Sequence, residues 1–217
     1  MKILLLGATG RTGSLVLKTA ISEGYQVHCL ARNVERIHKQ EGVSRFEGDA
    51  SDHTDLERAM DGCSYVINTL NISRKSDFPW SGLRTPKNYL SQVMGQLVSL
   101  AEQKSIERII ICSAWGVGET KEDIPGWFKW FIDHSNIGAA YREHENQEQL
   151  LIGSKVKWTI VRPVGLTNSK KKEEIRETFG KIPKPGLTIS RLSVARYLVD
   201  SIKRKDLTAK KVAISAV

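Results

Sequence analysis

The sequence predicts an α/β fold: a doubly wound parallel sheet with helices on both faces and a small C-terminal substrate region. Three observations predict it. Short apolar runs alternate with amphipathic stretches along the whole chain, the pattern of repeated strand–helix–strand units. The runs are apolar at consecutive positions, as in Ile3-Leu4-Leu5-Leu6 and Ile109-Ile110-Ile111, which suits strands covered on both faces rather than on one. A glycine-spaced stretch, Gly7-Ala-Thr-Gly-Arg-Thr-Gly13, follows the first run and opens the first amphipathic stretch.

Taken in order, residues 2–6 read as the first strand. A helix over 12–23 places Leu15, Val16, Thr19 and Ala20 on one face and stops at Gly24. Strands follow at 26–30 and 43–47, then a short helix at 54–60 begun by Asp52 or His53. A fourth strand spans 65–68, a long helix 88–103 and a fifth strand 108–112. The remaining elements are a helix at 141–152 ending at Gly153, a strand at 158–161, a helix at 191–202 and a last strand at 211–214. Right-handed crossovers arrange such units in the doubly wound order. The chain reads as one domain, 1–217. Long connections remain at 72–87, 114–137 and 164–189, the last with a short helix expected around 173–179. All three follow C-terminal strand ends, where open α/β sheets bind ligands. The insertions 114–137 and 164–190 are expected to form a small lobe for a substrate.

Composition narrows the function classes. The 217 residues are 40% hydrophobic and 26% charged, ordinary for a globular chain. No apolar run is long enough for a bilayer span, and the N-terminus lacks a signal-peptide pattern, so a cytoplasmic chain with no membrane partner is expected. Cys29, Cys63 and Cys112 are too scattered for a zinc site or a disulfide framework, and no metal is expected. The net charge is +9, but Lys170-Lys171-Lys172 runs straight into Glu173 and Glu174, and no basic stretch interleaves with aromatics. A polyanionic small ligand on a basic surface fits this better than nucleic acid.

The glycine stretch points to that ligand. Gly7 permits a tight strand-to-helix turn, Gly10 lets backbone approach a pyrophosphate, and Gly13 lets the helix pack close to the sheet. Helix N–H groups then face the phosphates, with Thr9, Arg11 and Thr12 beside them. The turn therefore predicts a Rossmann-type dinucleotide site. NAD-preferring sites carry an acid at the end of the second strand; here the residues are Ala31-Arg32-Asn33. Arg32, helped by Arg36, is placed to pair with a 2′-phosphate, so NADP(H) is the expected cofactor.

Further stretches match in order along the chain: LARN at 30–33, EGDASD at 47–52, VINTL at 66–70, IICSAWGV at 110–117 and KWTIVRPVGL at 157–166. With GATGRTG they make the chain resemble the atypical short-chain dehydrogenase/reductases of the NAD(P)H-binding, NmrA-like type, a group that includes biliverdin-IX-beta/flavin reductase-like proteins. The resemblance implies that Asp49 and Ala50 lie against adenine, with Asp49 accepting from its amino group. It implies that Asn68, Thr69 and Leu70 line the cofactor, that Ser113 lies near the nicotinamide, and that Pro163 and Val164 frame the nicotinamide through backbone groups. For Asp49 a second reading stays open, a turn acid acting with Asp52 at a helix start.

The departures bear on mechanism. Classical members use a Tyr-x-x-x-Lys pair, in which lysine lowers the tyrosine pKa for proton donation. Four residues after Tyr25, Tyr65, Tyr89, Tyr141 and Tyr197 stand Cys29, Thr69, Val93, Glu145 and Ser201, so no such pair exists. Aligned on strand six, His144 takes about the lysine position and Ala140 that of the tyrosine. His144 and Glu148 share a helix face, where the carboxylate could orient or charge the imidazole. His144 then holds the nicotinamide ribose, relays a proton, or is structural; these stand open, as does Ser113 between substrate donor and turn residue. Trp115, Trp127, Phe128, Trp130 and Phe131 follow strand five as a pocket wall or lid, a core staple, or an oligomer contact, the first being favoured.

Two function classes follow. One is an NADPH-dependent reductase of a small flat acceptor such as a flavin, quinone or carbonyl compound, working as a monomer or homodimer. The other is a non-catalytic NAD(P)-sensing regulator of NmrA-like type. Nucleotide-sugar epimerisation fits less well, for lack of room and of the tyrosine base.

Overall fold

The computed structural model describes residues 1–171 and 173–217; Lys172, the end of the lysine run noted above, lies outside the described residues. The elements are β1 (Lys2–Leu6), α1 (Gly13–Ser22), β2 (Gln26–Ala31), β3 (Val43–Glu47), α2 (His53–Met60), β4 (Tyr65–Asn68), α3 (Tyr89–Gln103), β5 (Arg108–Cys112), α4 (Gly126–Asp133), α5 (Ile137–Ile152), β6 (Trp158–Pro163), β7 (Gly165–Thr167), β8 (Ile175–Thr178), β9 (Thr188–Ser190), α6 (Arg191–Asp200) and β10 (Lys210–Ala216). The main sheet has the order β3-β2-β1-β4-β5-β6-β10-β8, parallel except for β8 against β10. This is the doubly wound Rossmann arrangement, and the strand order reverses between β1 and β4.

Consecutive apolar residues in β1 serve two cores. Ile3 and Leu5 pack with Val16 and Leu17 of α1 and with Val194 and Leu198 of α6. Leu4 and Leu6 pack on the opposite face with Leu56 of α2, Leu97 of α3 and Leu151 of α5. Ile109 and Ile111 of β5 join the second cluster and Ile110 the first. A polar residue at any of these places would face one core or the other, which is why the runs lack the period-two alternation of a half-wet strand. No helix among the described residues is long and apolar enough to cross a membrane.

Two long connections differ from expectation. A short helix is expected around 173–179, yet 175–178 form β8, with Ala213 opposite Thr178 and Ala216 opposite Ile175. The open edge of β10 offers unpaired N–H and C=O groups, and satisfying them outweighs a modest helical propensity. The charged residues Arg176 and Glu177 suit an edge strand. Part of the 164–190 insertion thus belongs to the main sheet, and the rest carries the small parallel pair β7–β9. Within 114–137 the aromatic stretch forms α4, and α5 begins at Ile137, four residues before the expected 141.

Candidate cofactor and active site

The glycine turn is built by close contacts. Gly7 has φ +85°, a left-handed conformation that glycine adopts freely. Its carbonyl accepts from Gly10 N–H at 2.9 Å. A Cβ on Gly13 would lie 2.0 Å from the Gly7 carbonyl oxygen, so the helix start rests directly on the turn. On Gly10 a Cβ would meet only that oxygen, at 3.2 Å, and the other side of the residue is open. Thr69 presses on the same turn: its hydroxyl donates to the Leu6 carbonyl at 2.8 Å and sits where a Gly7 or Gly13 side chain would be. Thr12 precedes α1 without capping it through its side chain, and the first turn of the helix has no acid. Its N–H groups and positive end are thereby left to an anion. Arg11 is exposed and pairs with Asp77 of the 72–87 loop at 3.2 Å.

Beside the turn lies a cavity of about 200 Å³, which brings together Gly7, Thr9, Ala31, Arg32, Ala50 and Leu70. Its wall also includes Arg36, Gly48 and Tyr89. Arg36 reaches back to the Thr9 carbonyl at 3.4 Å, and the Arg32 guanidinium lies 6.0 Å from the Tyr89 ring centre. Neither arginine makes an ion pair among the described residues. Tyr89 was missed by sequence reasoning; its place at the first turn of a long apolar helix reads as core until the fold brings it to β2.

Asp49 is held from within the fold through one of its two carboxyl oxygens. Its Oδ1 accepts from the N–H and hydroxyl of Ser51 at 2.9 and 2.8 Å and from the Tyr89 hydroxyl at 2.9 Å. Burial opposes its charge, but these hydrogen bonds prevail and hold the carboxyl below its ordinary range. These bonds seat Asp49 in the turn before α2, which Asp52 caps at the Asp55 N–H, and they leave Oδ2 unengaged among the described residues.

Toward β4, β5 and β6 the polar groups are buried. Asn68 Oδ1 accepts from the Leu70 N–H at 3.0 Å. Ser113 is 5% exposed, and its hydroxyl has no partner among the described residues. An orphaned buried hydroxyl costs stability unless something binds it, so Ser113 fits a ligand at this end of the sheet. At the end of β6 the Pro163 carbonyl accepts from Trp115 N–H at 3.0 Å, and Val164 N–H donates to the Ile214 carbonyl at 3.2 Å.

His144 is buried, and burial lowers its pKa to about 4, so the ring is neutral at physiological pH. Glu148 does not orient or charge it, contrary to the helix-spacing expectation. Glu148 is instead bound to Arg162 of β6 by bonds of 3.0 and 2.5 Å, with both side chains 3% exposed. Glu119 extends the pair, at 2.8 Å from Arg162 and 2.8 Å from Lys211. A larger cavity, about 550 Å³, adjoins this cluster and includes none of the residues expected to hold cofactor. All five tyrosines have raised pKa values, with burial the first cause in each. None is the lowered phenol of the classical pair.

The aromatic stretch divides. Phe128 packs edge-on to Tyr141 and Phe131 edge-on to Trp80, which fastens α4 to α5 and to the 72–87 loop. Trp127 and Trp130 remain 72% and 55% exposed. Trp80 donates to the His134 carbonyl at 2.8 Å, and Asn136 donates to the carbonyls of Trp80 and Ser81, so the 72–87 loop is tied to the junction of α4 and α5.

With this geometry in view, comparison with known proteins decides the family. The model of a family described as NAD(P)H-binding matches residues 7–205. The chain belongs to that NAD(P)H-binding family. Among curated relatives, the photosystem II assembly factor Ycf39 of Cyanophora paradoxa is 39% identical over 79 residues, covering 36% of this chain and 24% of that protein. Anthocyanidin reductase of Arabidopsis thaliana is 25% identical over 123 residues, 52% of this chain and 36% of that protein. The matches thus span about a quarter to a third of these relatives. Among solved structures, a short-chain dehydrogenase/reductase of Veillonella parvula in complex with NADP has TM-score 0.81 and 19% identity, covering 99% of this chain and 94% of that one. ChuY, an anaerobillin reductase of Escherichia coli O157:H7, has TM-score 0.80 and 21% identity over 100% and 97% of the two chains. These structures share the fold of this NAD(P)H-binding protein.

Proposed function

We propose that the protein is an NADPH-dependent oxidoreductase acting on a small flat acceptor, a flavin, a quinone or a carbonyl compound. The observation that carries the reading is the end of β2, where Arg32 and Arg36 line the cavity beside the glycine turn and form no ion pair among the described residues. They supply the charge that a ribose 2′-phosphate needs, while Gly10 and the start of α1 take the pyrophosphate. When bound, the dinucleotide supplies the hydride. The chain supplies placement and hydrogen bonds: Ser113 offers its free hydroxyl, and neutral His144 holds its ring at the same end of the sheet. Trp80 and Trp127 supply exposed apolar surface that suits a flat acceptor, whereas Trp130 is stacked on His134. Lacking a lowered phenol, the site favours acceptors that take their proton from solvent.

Replacing Arg32 with alanine is expected to weaken NADP+ binding by about 1.5–3 kcal/mol, the worth of hydrogen bonds to a charged group, and to leave NAD+ nearly unchanged. Calorimetry with both nucleotides checks this, and equal losses would refute the cofactor preference. Purified protein is expected to oxidise NADPH with at least one flavin, quinone or conjugated carbonyl; silence across all three classes refutes the catalytic reading. A sensing role is favoured by the lack of an activated tyrosine and by the stretch shared with an assembly factor. It requires unequal affinity for NADP+ and NADPH, since a ligand pair bound equally shifts nothing.

A further inference from the structure

The orientation of His144 is decided three groups away. The Leu70 N–H donates to Asn68 Oδ1 at 3.0 Å, which fixes the oxygen end of that amide. The Asn68 NH2 therefore faces Gln147, 3.5 Å from its Oε1. An NH2 group only donates, so Gln147 turns its oxygen to Asn68 and its own NH2 to the imidazole. Gln147 Nε2 lies 2.6 Å from His144 Nδ1. Two hydrogens cannot occupy that gap, so Nδ1 bears a lone pair. A neutral imidazole has one N–H, and it is left on Nε2. Asn68, Gln147 and His144 are 1%, 1% and 3% exposed, so water does not relieve a reversed chain, which would bury donor against donor.

We infer that Gln147 is a positioning residue which, anchored through Asn68, fixes His144 as the Nε2–H tautomer and makes it a hydrogen-bond donor rather than a base. The hydrogen bond that His144 makes among the described residues is through Nδ1, to Gln147, and the Ser113 hydroxyl has no partner there. The site thus presents donors toward an oxygen or ring-nitrogen acceptor, and the one lone pair of the neutral ring, on Nδ1, is taken up by Gln147. This suits acceptors bearing a carbonyl oxygen or imine-type nitrogen. That last step rests on the reductase reading; the tautomer does not.

The test is 15N NMR of the imidazole in the full chain at neutral pH. His144 is expected to show a protonated Nε2 and an unprotonated Nδ1. In Asn68→Asp the carboxylate keeps one oxygen on the Leu70 N–H and turns the other to Gln147, which must then flip its amide. The proton is expected to move to Nδ1, although no group touching the ring has been replaced. Gln147→Glu, read at a pH where the new carboxyl is ionised, is expected to give the same exchange directly. Wild-type protein with the proton on Nδ1 overturns the inference, as does a folded variant of either kind that keeps the wild-type tautomer. Should a substitution unfold the chain, the wild-type spectrum still decides. The expected tautomer combined with no turnover on any acceptor counts against the reductase reading and leaves the positioning role standing.

Discussion

Gly13→Ala is expected to abolish tight cofactor binding and to destabilise the fold, whereas Gly10→Ala is expected to impair binding alone. The difference lies in what each new methyl group meets. At Gly13 the Cβ would be 2.0 Å from the Gly7 carbonyl oxygen, 2.6 Å from its carbon and 2.7 Å from Thr69 Oγ1. Two of these atoms are backbone and the third is held by its bond to the Leu6 carbonyl, so α1 must move off the turn. Overpacking of this kind costs about 1–3 kcal/mol, occasionally more. At roughly 3 kcal/mol the melting temperature of a domain this size falls by about 6–12 °C. The same displacement carries the α1 N–H groups away from the pyrophosphate, and each 1.4 kcal/mol lost there is about tenfold in affinity. At Gly10 the new methyl meets one atom at 3.2 Å and otherwise enters space that the phosphate needs. Thermal melts with NADPH titrations separate the two cases. A Gly13→Ala protein with unchanged melting temperature and affinity would show that the close packing of turn and helix is not what builds the site.

The parts of this site that lie close together in sequence were legible before the fold was known. Gly7 to Gly13 do their work within one turn, and the apolar runs of β1 and β5 state by themselves that both faces are covered. What failed to show was set by partners distant in the chain. Residues 173–179 carry the composition of a helix, and only the bare edge of β10 makes 175–178 a strand. The hydrogen bond to Asp49 Oδ1 comes from Tyr89, forty residues on, a partner that no local pattern names. His144 and Glu148 share a helix face as the spacing required. Spacing does not reveal that Arg162 takes the carboxylate while Gln147 takes the imidazole.

That rearrangement makes Glu148 the residue whose loss should be felt most widely. Arg162 is buried, and its guanidinium is held by Glu148 within the interior and by Glu119, 56% exposed, at the rim. Glu148→Ala leaves a buried cation without its inner partner, a loss of about 3–5 kcal/mol, and the melting temperature is expected to fall on the order of 10 °C. Glu119→Gln, at a solvated position, is expected to cost at most about 1 kcal/mol. The Glu119 carboxyl is held down to about 2 by the hydrogen bonds of Arg162 and Lys211, which outweigh its partial burial. Its contribution is therefore complete above the ordinary carboxylate pKa and disappears as pH falls from there toward 2, so the difference between wild type and Glu119→Gln should close over that window. The decisive comparison is the double variant Glu148→Leu, Arg162→Met. If the penalty of the single change is an uncompensated charge, removing the charge as well should restore much of the stability. If the double variant melts as low as Glu148→Ala, lost packing rather than charge is responsible. The pair also joins α5 to β6 between His144 and Pro163, so Glu148→Ala is expected to loosen the His144 ring, seen as broadened imidazole resonances, even in molecules that remain folded.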